Sequence, residues 1–267
     1  MINGYEIIDA HCHIYPEKIA DRAVKGNDAF YNIHSKYKGT AKDLIEQKEL
    51  SGVDKYVVQS VATTPHQVKS INEFISEEVL LYGEFLIGLG TLHQNSETME
   101  EDVLHLLELG LKGVKLHPDI QNFKIDEERY FIIYELLQKY KLPLLMHTGD
   151  YRYDNSNPNR LIPILETFKD LTIIGAHLGG WSIYDKASRV LNKYDNLFVD
   201  CSSSFYALNK NDCKDIINRY GTDKVLFGTD YPMWSASEEL EYFFSLNLTK
   251  EENQKILSQN VKKILKF

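Results

Sequence analysis

The sequence predicts an α/β chain closed into a (β/α)8 barrel of the TIM type, with an extra helix at its C-terminal end. Short apolar runs alternate with longer segments of helical period along the whole chain. No break in composition interrupts that alternation, so parallel strands joined by crossover helices follow. Polar residues able to hold a ligand stand at the ends of the first, fifth, sixth and eighth runs. In an open sheet strands so far apart in order need not meet. In a closed barrel the eighth lies beside the first, and every strand end opens on one mouth. The length of 267 residues is near the roughly 250 typical of such barrels.

The strand runs, in order, are EIIDAH (6–11), KYVVQSV (55–61), FLIGLGTL (85–92), KGVKLH (112–117), PLLMHT (143–148), LTIIGAH (171–177), LFVDCS (197–202) and KVLFGTD (224–230). Each is short and apolar, as buried parallel strands are. The segments of helical period lie at 41–51, 68–82, 97–110, 127–140, 159–169, 183–194, 211–220 and 236–246. The tail LTKEENQKILSQNVKKILKF adds a last helix, with Thr249 as N-cap and Glu252 three residues on to complete a capping box. Residues 14–40 read as irregular and long for a connection, which suits a lid or binding loop. With no linker or low-complexity tract, residues 1–267 are expected to form one domain.

A hydrophobic fraction of 43% supports a sizeable core. The formal charge of −9 argues against holding nucleic acid or an anionic membrane through bulk charge. Cys12, Cys201 and Cys213 are odd in number and form no C-x-x-C pair, so a disulfide framework is not expected and a reducing compartment is. The start MINGYEIIDA has neither a basic region nor a long apolar run, and no stretch approaches the roughly 18 apolar residues of a membrane span. The expectation is a cytoplasmic protein acting on a small molecule.

The chemistry gathers at the strand ends. Of nine histidines, His11, His13, His66, His93, His117, His147 and His177 fall at or just after a predicted strand. His11 and His13 are two apart and so share a face of the first strand. His147 ends the fifth, His177 the sixth and Asp230 the eighth. Neutral imidazoles with one carboxylate suit a divalent cation, zinc first, with manganese, iron or nickel also accepted. The other reading is a polar mouth that binds an anion without metal.

DAHCH, MHTGD, GAHLGG and FGTDYP, in that order and at barrel spacing, resemble the amidohydrolase superfamily. The chain is most similar to the amidohydrolase-related branch that includes aminocarboxymuconate-semialdehyde decarboxylase. The resemblance runs over essentially the whole chain, down to EENQKILSQNVKKIL with its Asn260. It implies that His11, His13, His147 and Asp230 hold one metal, with His177 beside the water that is activated. Other branches hold two metals bridged from the fourth strand, where Lys115 would be the carboxylated bridge; otherwise Lys115 binds a substrate carboxylate or an ion-pair partner.

The first expectation is therefore a metal-dependent hydrolase, an amidohydrolase that activates water to cleave a C–N or C–O bond, with His177 and Asp230 moving the protons. The alternative is non-oxidative decarboxylation at the same site, with Arg152 and Lys115 clamping a carboxylate. A metal-binding barrel without catalysis is the third reading. Around the centre, His117 shares the face of Lys115 and lines the pocket or caps its strand. Arg152 clamps substrate or lies in a surface loop. Trp181 and Trp234 wall an apolar pocket or pack between loops. Asp200 orients a ligand histidine or serves a turn. His66 and His93 read as structural, His34 as part of the lid, and His105 as exposed on a helix. GLG at 88–90 and LGG at 178–180 are not phosphate loops. Barrels of this kind often dimerise, which leaves a homodimer open, but no interface signature stands out in the sequence.

Overall fold

The computed structural model describes residues 4–267; Met1–Asn3, on which the reading of the chain's start partly rests, lie outside the described residues. Around the barrel run β1 (Ile8–His13), β2 (Lys55–Gln59), β3 (Leu86–Gly88), β4 (Gly90–Thr91), β5 (Val114–Leu116), β6 (Leu144–Met146), β7 (Ile173–Gly175), β8 (Leu197–Asp200) and β9 (Val225–Leu226). All pairing is parallel, β1 to β3 in one sheet and β4 to β9 in the other. β3 and β4 are the single third strand predicted at 85–92, split at Leu89. Across the split the Leu89 N–H donates to Val58 O at 2.9 Å, while the Lys112 N–H donates to Gly88 O at 2.8 Å. The other seam is closed by Ala10 N–H to Phe227 O at 2.9 Å, Asp230 N–H to His11 O at 2.9 Å and His13 N–H to Tyr231 O at 2.7 Å. The eighth strand therefore meets the first, and Asp230 arrives beside His11.

The helices are α1 (Glu17–Tyr31), α2 (Ala41–Ser51), α3 (Val68–Tyr82), α4 (Met99–Glu108), α5 (Pro118–Gln121), α6 (Phe131–Tyr140), α7 (Pro158–Thr167), α8 (Tyr184–Leu191), α9 (Lys210–Tyr220), α10 (Ala236–Phe244), α11 (Lys250–Gln254) and α12 (Asn260–Leu265). The region 14–40 is not irregular, because most of it is α1. Only Ala20 and Val24 of α1 are buried, and Gly26 interrupts its pattern, so no clear stripe marked it in the sequence. The tail helix is divided by a π turn at Lys255–Gln259. Its capping box is present: the Glu252 N–H donates to Thr249 Oγ1 at 3.3 Å and the Thr249 N–H donates to Glu252 Oε2 at 2.7 Å.

Two apolar layers form the core. Ile8, Val57, Ile87, Leu89, Leu145, Ile174 and Leu226 fill the barrel, and Val261, Ile264 and Leu265 of α12 pack with them. Asn260 secures that closure by donating to Thr222 O at 2.8 Å and Val225 O at 2.7 Å. The second, larger layer lies between strands and helices. Among the described residues no helix is long and apolar enough to cross a membrane.

Glu239 of α10 is buried, and its Oε2 has no hydrogen-bond partner among the described residues. Burial, reinforced by the Asp9 carboxylate, pushes its pKa from 4.5 up to about 8. Between those values the folded chain holds a proton that the unfolded chain has lost. Stability therefore falls as pH rises through that window, by up to about 1.4 kcal/mol per unit. Asp9, itself raised to about 6 by burial, acts in the same direction at lower pH. Glu239→Gln should flatten the urea midpoint against pH between 6 and 8; an unchanged slope would remove Glu239 as its source.

Candidate metal centre

β1 ends with His11 and His13 on one face, and the β9 seam brings Asp230 to them. His11 Nε2 and His13 Nε2 are 3.2 Å apart. Asp230 Oδ1 lies 3.4 Å from each. Donor atoms about 2.0–2.2 Å from one ion are separated by about 3.0–3.5 Å, so this triangle fits a divalent cation. The hydrogen bonds also leave lone pairs where a cation needs them. His11 Nδ1 faces Asp200 Oδ2 at 3.0 Å. A carboxylate only accepts, so His11 carries its proton on Nδ1 and presents an unprotonated Nε2, which faces the Lys115 Nζ. The contact with Asp200 fixes the orientation of the His11 ring, one of the two roles open to Asp200. That carboxylate also accepts from the His177 N–H at 3.2 Å and from Ser202 Oγ.

Electrostatics keep the imidazoles in ligand form. Burial, aided by Lys115, lowers His11 to about 4 against the pull of Asp200 and Asp230. Burial likewise lowers His13, His117, His147 and His177. For Asp230 burial acts upward, but the His11 and His13 side chains outweigh it and hold the carboxyl below its usual range. Ser203 Oγ donates to Asp230 Oδ2 at 2.6 Å.

His147 stands apart from the triangle. His177 Nδ1 faces Ser202 O at 3.0 Å, so it donates there and leaves Nε2 as an acceptor. That atom lies 3.1 Å from His147 Nδ1, which must then carry the proton of its own ring. His147 Nε2 is thus a buried lone pair without a hydrogen-bond partner among the described residues, 3.7 Å from Asp119 Oδ2. The structure therefore brings His11, His13 and Asp230 together, and groups His147 with His117 and Asp119. The bare Nε2 of His147 is what a cation ligand requires.

Lys115, the candidate bridge on β5, is fully buried, with Nζ 3.1 Å from His11 Nε2. Burial lowers it to about 8, opposed by Asp230 and Asp200. His117 lines the cavity and also caps α5, its Nδ1 accepting from the Ile120 N–H at 3.3 Å. It stacks on His147 at 3.9 Å between ring centroids, and its Nε2 lies 2.5 Å from Tyr31 OH. Arg152 does not reach the cavity. Its guanidinium is held by Asp150 at 2.7–3.2 Å and by Phe30 O at 2.6 Å, with Phe30, Tyr31, Tyr153 and Trp181 around it. It clasps α1 to the barrel instead. Trp181 is buried behind Tyr31, and Trp234 donates Nε1–H to Ser203 Oγ at 2.8 Å, so neither walls the main cavity. His66 is exposed, His93 is buried and accepts from the Asn95 N–H, His34 is exposed, and His105 is half-buried beside Glu73. Tyr31, Asp119, Ser202 and Ser203 were not foreseen.

The cavity, of about 650 Å³, opens above this floor of His13, Lys115, His117, His147, His177 and Asp230. The loops carrying His147 and His177 touch backbone to backbone. A Cβ on Gly149, whose φ is +77°, would lie 2.5 Å from Gly180 Cα. Gly149→Ala should therefore destabilise the fold by roughly 2–3 kcal/mol, read from the urea midpoint; full stability would refute the contact. His177 and Leu178 themselves have φ of 58° and 51°, and Asp230 has φ of 68°. These are left-handed values that non-glycine residues seldom adopt.

A parallel eight-stranded barrel with clustered histidines and an aspartate at its C-terminal mouth defines the class to which the fold and site point. A family model described as Amidohydrolase matches residues 8–267. The chain belongs to that family. Among solved structures, an uncharacterized TIM-barrel protein from Bordetella bronchiseptica is similar at 21% identity, with a TM-score of 0.80 and 98% of each chain covered. A 5-carboxyvanillate decarboxylase from Sphingomonas paucimobilis is 12% identical, with a TM-score of 0.78 over 99% of this chain and 100% of that one. A 5-carboxyvanillate decarboxylase from Novosphingobium aromaticivorans, complexed with manganese and 4-hydroxy-3-methoxy-5-nitrobenzoic acid, is 17% identical, with a TM-score of 0.75 over 99% and 97% of the two chains. At these identities the likeness establishes the fold.

Proposed function

We propose that the protein is a metal-dependent enzyme that removes carbon dioxide, without oxidation, from a small carboxylated substrate. The observation that carries this reading is Lys115, a buried ammonium on the floor of a largely apolar cavity beside the His11–His13–Asp230 triangle. A carboxylate drawn to that cation leaves water behind, and desolvation raises its energy relative to neutral carbon dioxide. The decarboxylases among the structural neighbours support the same reading.

His11, His13 and Asp230 would hold the divalent ion, while the bare Nε2 of His147 lies outside that triangle, with His117 and Asp119. The mixed nitrogen and oxygen donors suit zinc or manganese. When bound, the ion supplies Lewis-acid attraction for substrate oxygens. Lys115 fixes the carboxylate. The C–C bond to that carboxylate breaks, its electron pair stays on the substrate carbon, and a proton must reach the same carbon. Asp230 is ionised and held by Ser203, so it would accept a proton from a substrate hydroxyl or water and deliver it to that carbon, leaving the donor oxygen as its anion. His177, anchored through Nδ1, keeps its Nε2 on His147. Water activation for hydrolysis is a second reading, favoured by one feature: Asp230 is held in its ionised form at the floor of the cavity and stands ready to accept a proton.

The test is a product assay on protein loaded with manganese or zinc. It supplies 5-carboxyvanillate and 2,6-dihydroxybenzoate for decarboxylation, and nitrophenyl esters and lactones for hydrolysis. Metal-dependent carbon dioxide release supports the proposal. Acid formation from esters or lactones, with no carbon dioxide from any carboxylate, would replace it with hydrolysis.

A further inference from the structure

The cavity is larger than its polar floor explains. At roughly 30 Å³ per water molecule, its 650 Å³ would hold about twenty. A single-ring carboxylate of about ten non-hydrogen atoms displaces at most half of them. The remaining space lies between two helices. α1 presents Ile19 and Ala23, one turn apart, and α3 presents Ile71 and Phe74, also on one face. These four side chains are half-buried, whereas the floor residues are buried and Lys18, Ser70 and Glu77 at the rim are exposed. Burial therefore grades from a charged floor, past an apolar throat, to a polar rim. α1 spends a different pair, Ala20 and Val24, on the body of the protein. Its Ile19–Ala23 edge is left facing α3 across open space.

We propose that the substrate carries an extended apolar substituent, placed opposite its carboxylate, which lies in the throat between α1 and α3, with Ala23, Ile71 and Phe74 setting its length and width. This rests on the carboxylate reading for the floor, but the throat makes its own prediction. Each methylene moved from water into it tightens binding about fourfold.

The experiment is calorimetric titration of the intact protein with two series, 4-alkylbenzoates and 4-alkylphenols, from methyl to pentyl. The expected result is an affinity that climbs about fourfold per methylene in both series. Ala23→Trp, which fills the throat, should collapse the pentyl-to-methyl ratio. Ile71→Asn, which makes it polar, should do the same and guards against a misfolded tryptophan variant. A flat series, a ratio that survives both substitutions, or no binding by any member overturns the proposal. The two readings fail separately. Benzoates that need Lys115 but show no chain-length slope leave the carboxylate floor standing and remove the throat. A steep slope with benzoates no tighter than phenols does the reverse.

Discussion

Asp230→Asn is expected to yield a folded barrel that binds its divalent ion at least tenfold more weakly and turns over about a thousandfold more slowly. Asp230 Oδ1 sits 3.4 Å from both His11 Nε2 and His13 Nε2, so it closes the donor triangle. Asparagine keeps the shape but removes the negative charge and the proton acceptor. Asparagine is also among the residues that best accept the left-handed backbone at this position. Elemental analysis after dialysis, with the rate at saturating metal, separates the two losses. Wild-type metal content together with a wild-type rate would take Asp230 out of the centre.

His177→Asn should divide those effects. His177 is outside the His11–His13–Asp230 triangle, and its Nε2 lies on His147. The variant should keep its metal and lose about a hundredfold to ten-thousandfold in rate. Its Nδ1 bond to Ser202 O fixes which nitrogen faces the floor, and asparagine cannot reproduce that acceptor. Loss of metal from this variant would instead make His177 a ligand and favour a second ion. An unchanged rate would mean that His177 does no chemistry.

Much of this was legible in the chain because a barrel converts strand order into position. His11, His147, His177 and Asp230 are remote in sequence, yet alternation alone placed each at a strand end. Direction was harder to read. Arg152, Trp181 and Trp234 follow the right strands, but a loop residue's orientation depends on what it meets, and Arg152 met Asp150 and Phe30 first. Asp119 and the serines carried some signal, in HPD after β5 and DCSSS at the end of β8. Tyr31 carried none, since it belongs to a helix hidden by Gly26 and anchored by only two buried side chains. The break in the third strand at Leu89 was equally silent, because an apolar run reads the same whether it pairs with one neighbour or passes between two.

The unusual dihedrals at His177, Leu178 and Asp230 set a conflict between durability and activity. Each left-handed residue with a side chain costs on the order of 1 kcal/mol relative to glycine in the same conformation. Laboratory evolution for heat resistance alone would therefore accumulate glycine or asparagine at those positions, and would recover tougher proteins with no turnover. On the proposed mechanism, selection for turnover would be what keeps His177 and Asp230 in place.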